Sequence, residues 1–172
     1  KVTDELWQDH LEGKDPSLGI IPIKDNANCS WCCIDVDTYP LDYKKLLDNI
    51  KKRNFPIIVC RSKSGGAHLF IFIDGEISAR LARSKLSEIS AALGYASCEI
   101  FPKQIEIKAE RGDTGNFLNL PYHGGDKSNR YAFHPDTANA LPLEEFYKLY
   151  DEYKVTPEKF KNIKITKKKE KN

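Results

Sequence analysis

The sequence has no methionine among its 172 residues. Translation starts on methionine, so the expectation is an excised domain whose natural polypeptide continues beyond it. No apolar run comes near the ~18 residues that a spanning helix needs, and Lys1 to His10 has no signal-peptide core. Neither membrane insertion nor secretion is expected, and the expected location is the cytoplasm. Cysteine is scarce and odd in number, at five. Cys29-x2-Cys32 has the spacing of half a zinc knuckle, but no second pair follows at ligand spacing, so no zinc is expected and the thiols read as buried in a reducing compartment. A G-x4-G-K-[ST] loop is also absent, which excludes a P-loop nucleotide site.

What is present is an ordinary globular composition, 40% hydrophobic, 30% charged and 10% aromatic, at a length suited to one core. The net charge of +2 conceals an asymmetry: residues 156–172 carry seven Lys and two Glu, a net of +5, leaving −3 for residues 1–155. The expected division is a folded body over 1–155 and a basic, lysine-rich tail over 156–172. That tail reads as a linker toward a downstream region, or as an arm that attracts phosphate.

Periodicity gives the order of elements. Residues 31–37 (WCCIDVD) alternate as a strand, with Cys32, Ile34 and Val36 on one face and Cys33, Asp35 and Asp37 on the other. Tyr43, Leu46, Leu47 and Ile50 make a helical stripe over about 41–54. Phe55–Cys60 and Ala67–Ile73 read as a hairpin around the Ser/Gly turn at 62–66. Ser78 is placed to cap a helix carrying Ala82, Leu86, Ile89 and Leu93, and Gly94 to end it. Cys98–Phe101 is a strand. The resulting β-α-β-β-α-β order predicts an α+β fold, the split βαβ arrangement of ferredoxin-like and RNA-recognition-motif (RRM-like) antiparallel sheets, with two helices on one face and the other face open. Gln104–Lys108 and Asn116–Leu120 read as further strands, and Pro142–Tyr153 as an amphipathic helix.

Three motifs carry chemistry. Asp35 and Asp37, two apart on a strand, project from one face; carboxylates that close repel unless a cation lies between them, and hard oxygen ligands suit Mg²⁺ or Mn²⁺. Arg61-Ser62-Lys63-Ser64-Gly65-Gly66-Ala67-His68 gathers hydroxyls, freed backbone N–H groups and cations, the donors that an anionic phosphate needs. Glu99, on the strand after the second helix, can join the aspartates in a split βαβ sheet, with Glu106 and Glu110 as competitors.

Asp-x-Asp on a strand, Ser-Gly-Gly-x-His at a hairpin and a lone carboxylate strand, in this order, resemble the archaeo-eukaryotic primase (AEP) superfamily, which includes primase-polymerases of phages and plasmids. EIFPKQ (99–104) and DTGNFLNLPYHGG (113–125) resemble its branch in phage replication proteins and conflict-associated systems. The resemblance spans about residues 18–133. It implies a primase-polymerase that transfers nucleotides from dNTPs or NTPs to a 3′ hydroxyl in DNA replication of a phage or mobile element. It also implies two divalent ions on Asp35, Asp37 and Glu99, and triphosphate contacts from Ser64 and His68 assisted by Arg61, Lys63 and the amides of Gly65 and Gly66. Lys103 is a further phosphate candidate, and Asn116 and Asn119 are candidates for the sugar or base. The implied partners are single-stranded template DNA, primer-template DNA and a fused or separate helicase. Many members have Asp where this chain has Glu99. Two rival readings remain: a non-catalytic RRM-like nucleic-acid-binding module, which the carboxylates on the open face oppose, and a metal-dependent nuclease.

Overall fold

A computed structural model of the chain describes residues 1–166. The chain begins with helix α1 (Asp4–Glu12) and a short strand β1 (Gly19–Ile20). The central unit follows: β2 (Asn28–Val36), α2 (Tyr43–Lys52), β3 (Ile58–Arg61), β4 (Ala67–Ser78), α3 (Ala79–Leu93) and β5 (Glu99–Phe101). Its strands run β3-β4-β2-β5, all antiparallel, which is the split βαβ topology that the sequence order predicts. Strand β6 (Leu118–Asn119) pairs with β1, and helices α4 (Leu143–Tyr153) and α5 (Pro157–Lys161) follow.

Local chemistry explains the boundaries. Ser78 Oγ accepts the Leu81 N–H at 3.0 Å and caps α3, and Gly94 closes it at a φ of 88° that suits a residue without Cβ. Asp42 does the same for α2, accepting the Lys45 N–H at 3.0 Å. Alternation along β2 then sorts the two faces of the sheet. Cys32, Ile34 and Val36 join Val59, Leu69 and Ile71 against Leu46, Leu47 and Ile50 of α2 and Ala82, Leu86 and Ile89 of α3. Each fully buried Leu or Ile here stabilises by roughly 1.5–3 kcal/mol.

Four features differ from the sequence reading. Helix α1 was not foreseen, although its Thr3 cap, acidic first turn and Gly13 terminus are all legible signals. Residues 104–108 alternate but form no strand: Pro102 offers no N–H to continue the ladder past Phe101, and among the described residues no strand pairs with them. The second sheet face is not open along its length, because Leu118, Tyr122 and Leu149 cover Cys33, Ile58, Phe70 and Phe101. The stretch from 156 is not uniformly tail-like. Thr156 caps α5, Phe160 is fully buried in the helix-side core, and Val155 bridges to Ile73 of β4. Residues 167–172, where the lysine run lies, are outside the described residues.

The cysteines divide between the layers. Cys29 and Cys32 lie in the core under the helices with Cys98 at that core's margin, and Cys33 and Cys60 lie in the core on the other face. Burial pushes the Cys29 thiol up to about 11 and raises those of Cys32, Cys33 and Cys60. No helix among the described residues is long and apolar enough to cross a membrane.

Candidate active site

The covered face of the sheet ends in a row of polar residues. Asp35 of β2 stands opposite His68 on β4 and opposite Glu99 on β5, so the register sets three titratable side chains side by side across three strands. The next row inward is Cys33, Phe70 and Phe101, and it is apolar. The switch from one to the other marks where the cover of that face stops and a cleft of about 440 Å³ begins.

Asp35, Asp37, Arg61, Ser62, Lys63, Ser64 and His68 line this cleft from the sheet and its hairpin, and Asn119 of β6 with Leu120, Pro121 and Arg130 of the segment after it line the other side. The Asp35 side chain is 14% exposed, and its Oδ1 is buried without a hydrogen-bond partner. His68 Nε2 faces that oxygen at 3.4 Å. A carboxylate oxygen removed from water and left unpartnered is costly unless a cation completes it. Asp37 is exposed at the strand end, where Tyr39 Oη donates to its Oδ1 at 3.1 Å and lies 2.6 Å from Ser64 Oγ. The Tyr39 phenol therefore bridges the aspartate pair and the Ser-Gly-Gly turn.

That turn is held from two sides. Tyr43 Oη, from the first turn of α2, donates to the carbonyls of Gly65 and Gly66. Gly65 adopts a φ of 95°, and a Cβ on Gly66 would stand 2.2 Å from the Val36 carbonyl. Both glycines are required by geometry, one for its backbone angle and one for close approach to β2. Ser62 Oγ is buried without a partner at the base of the turn. Arg61 swings beneath Gly65 and donates to the Asn129 carbonyl at 3.3 Å, which ties the hairpin to the opposite wall.

The expected residues are not all brought together. Asp35, Asp37, Arg61, Lys63, Ser64, His68 and Asn119 share the cleft. Glu99 is beside Asp35 in register, but its side chain is half exposed and paired with Lys103 at 2.9 Å, and neither of these two lines the cleft. Asn116 is bound to Gln104 away from it. Glu106 and Glu110 are exposed on the irregular segment after β5. Among the described residues no three His, Cys, Asp or Glu side chains converge as a metal-binding group. Ser62, within the motif singled out in the sequence, also lines the cleft, whereas Arg130 and Tyr39 belong to the site and carry no motif of their own. Tyr39 was within reach of the sequence, two residues beyond Asp37, whereas Arg130 carries no local signal.

Next to the cleft, and sharing Leu120 and Pro121 with it, is an apolar chamber of about 520 Å³. Trp31, Phe70 and Phe72 form its sheet side, and Trp7, Tyr122 and Phe146 lie around it. His10 fastens α1 to this region: its Nδ1 accepts the Leu18 N–H at 3.0 Å and its Nε2 donates to the Pro121 carbonyl at 2.8 Å. These contacts require the neutral ring, and burial, with His123 and Arg130 nearby, lowers its pKa below the usual 6.5.

An RRM-like sheet that ends in a cleft of carboxylates and cations is the architecture of a primase-like nucleotidyltransferase domain. The family model described as TOTE conflict system, Archaeo-Eukaryotic Primase domain, matches residues 1–163, and the chain belongs to that family. The match runs beyond residue 155 to the end of the α5 region. No curated protein matches the chain. Domains of this family are nucleotidyltransferase-like, typically use divalent metals, and bind nucleotides and nucleic acid.

Proposed function

We propose that the domain is the catalytic unit of a primase-polymerase, adding nucleotides from dNTPs or NTPs to a 3′ hydroxyl on a single-stranded DNA template. The observation that carries this reading is the cleft, where Asp35, whose Oδ1 is buried without a hydrogen-bond partner, and Asp37 lie beside a glycine turn flanked by Arg61 and Lys63. The donor set fits Mg²⁺ or Mn²⁺. Asp35 and Asp37 would hold the ions, with Glu99 as the third carboxylate once released from Lys103. Bound there, the ions would lower the pKa of the attacking hydroxyl and stabilise the leaving pyrophosphate.

The chain's own residues do the rest. Ser64 and the N–H groups of the Ser-Gly-Gly turn present donors to the triphosphate, with Arg61 and Lys63 supplying fixed charge beside it. His68, 8% exposed and standing across from Asp35, would donate toward phosphate oxygen. Asn119 lines the cleft where a sugar or base would lie. No protein nucleophile is required. A template would be held through its backbone, since such an enzyme accepts any sequence. A helicase, fused or separate, would supply single strands, and a phage or other mobile element is the proposed setting.

Base stacking on an exposed sheet, the alternative for a binding module, is opposed by the cover over this face, which leaves Phe70 only 2% exposed. The deciding experiment is incubation of a labelled primer-template with dNTPs and Mn²⁺. The unmodified chain should lengthen the primer, and the double variant Asp35→Ala, Asp37→Ala should lose extension by at least about 10³-fold at an unchanged melting temperature. Extension retained by the double variant would overturn the reading, and shortening of the primer would replace it with a nuclease.

A further inference from the structure

The reading above uses the hairpin side of the cleft and leaves one charge on the other side without a role. Arg130 is 7% exposed, and the surface it keeps lines the cleft. Its Nη1 donates to Ser17 Oγ at 3.1 Å, and no ion pair reaches it among the described residues. Burial lowers its pKa, opposed by the more distant Asp15 carboxylate, yet a guanidinium does not lose its proton in a protein. A permanent charge has thus been taken out of water without a carboxylate to offset it, and structures retain such an arrangement where a ligand completes it.

The ligand must be anionic, and its chemistry is narrowed by the neighbours. Arg61 reaches the carbonyl of Asn129, the residue before Arg130, so two guanidiniums serve the same cleft from its two walls. Lys63 adds a third cation, while the carboxylates, Asp35 and Asp37, stand at the sheet end and are assigned to metal. Planar forks of N–H donors match tetrahedral phosphoryl oxygens two at a time.

Resting on the nucleotidyl-transfer reading, we infer that Arg130 is a phosphate-binding residue of the cleft, holding a phosphoryl group from the wall opposite the Ser-Gly-Gly turn. The group is either part of the nucleotide's triphosphate or a phosphodiester of the bound strand. Clamped between Arg61 and Arg130, it draws the hairpin and the 119–130 segment together across the two aspartates. Ser17 positions the guanidinium from behind, which makes the short link between α1 and β1 part of the site's support.

The test measures binding in the absence of metal, with two probes: inorganic tripolyphosphate for the nucleotide source and a short single-stranded oligodeoxythymidylate for the strand source. Arg130→Gln should weaken one or both by roughly 10- to 100-fold. Loss confined to tripolyphosphate assigns Arg130 to the nucleotide. Loss confined to the oligonucleotide, with the slope of log affinity against log salt reduced by about 1, assigns it to the strand. A folded Arg130→Gln variant with both affinities unchanged overturns the inference and leaves the parent reading standing. An unmodified chain that binds neither probe overturns both. Should Arg130→Gln fail to fold, the Arg130 Nε–Hε NMR signal of the unmodified chain decides. It should move as either probe is titrated, and a signal that stays fixed through saturation of both refutes the assignment.

Discussion

The two faces of the central sheet are made by the same strands, often by adjacent residues, and they obey different rules. On the helix side, Ile34, Val36, Leu69 and Ile71 are each fully buried against α2 and α3, with no polar atom among their side chains. On the other side, each strand meets a thinner cover of loops and α4, and its last row, Asp35, His68 and Glu99, is polar. Two buried oxygens on that side, Asp35 Oδ1 and Ser62 Oγ, have no partner. One face is therefore optimised for the folded state alone. The other keeps buried polar oxygens without a partner among the described residues, the cost expected of a face kept for ligand binding, and it relies on the first for its stability.

The largest way to test that division is to exchange damage between the faces. Leu69→Ala should lower stability by about 2–5 kcal/mol through the cavity it leaves, read as an earlier denaturation midpoint, while the fraction still folded keeps its nucleotide affinity. Asp35→Asn, one strand away and on the opposite face, should leave that midpoint unchanged or raise it. A drop comparable to that of Leu69→Ala would show that Asp35 is structural and would break the contrast.

A second, smaller test uses acid. His10 anchors the cover of the site face and has no counterpart under the helices. Its folded pKa is lowered, so the unfolded chain takes up the proton first. The stability it contributes is complete above the ordinary value of 6.5 and is lost as pH falls through the lowered folded value. Each unit of lowering corresponds to about 1.4 kcal/mol. Hydrogen exchange should show the Leu18 amide losing protection as the pH drops below 6.5, while amides of β4 in the helix-side core keep theirs. Equal loss on both sides would mean that the two layers open as one.

The smallest effect should come from Tyr39→Phe, which removes the bridge between Asp37 and Ser64 and leaves the packing intact. A severalfold rise in the nucleotide KM is expected, with about 1 kcal/mol or less in stability. A stability loss without a change in KM would place Tyr39 with the scaffold and outside the site.

Much of this contrast was legible in the sequence. The period-2 pattern of 31–37 places Ile34 and Asp35 on opposite faces before any fold is known, and the caps at Ser78 and Gly94 fix α3 almost to the residue. What alternation cannot show is whether a strand has a neighbour, which is why 104–108 keeps the pattern and lacks the structure. Nor can it show what covers a face. Arg130 reaches the cleft through the 119–130 segment, whose path is set by contacts from His10 and Arg61 far away in sequence. The basic composition from 156 is no guide to the part of it that is described, because over 157–161 the single buried side chain of Phe160 outweighs the lysines beside it.

The close approach of Gly66 to the Val36 carbonyl sets a minimum dimension in the site that its side chains cannot shorten. The span from the aspartates at the end of β2 to the donors of the turn starts from backbone resting on backbone, with Tyr39 and Tyr43 holding it there. Gly66→Ala would act as a shim between the two: the carboxylates and the phosphate donors would both survive, each correctly made, and stand too far apart to serve one nucleotide.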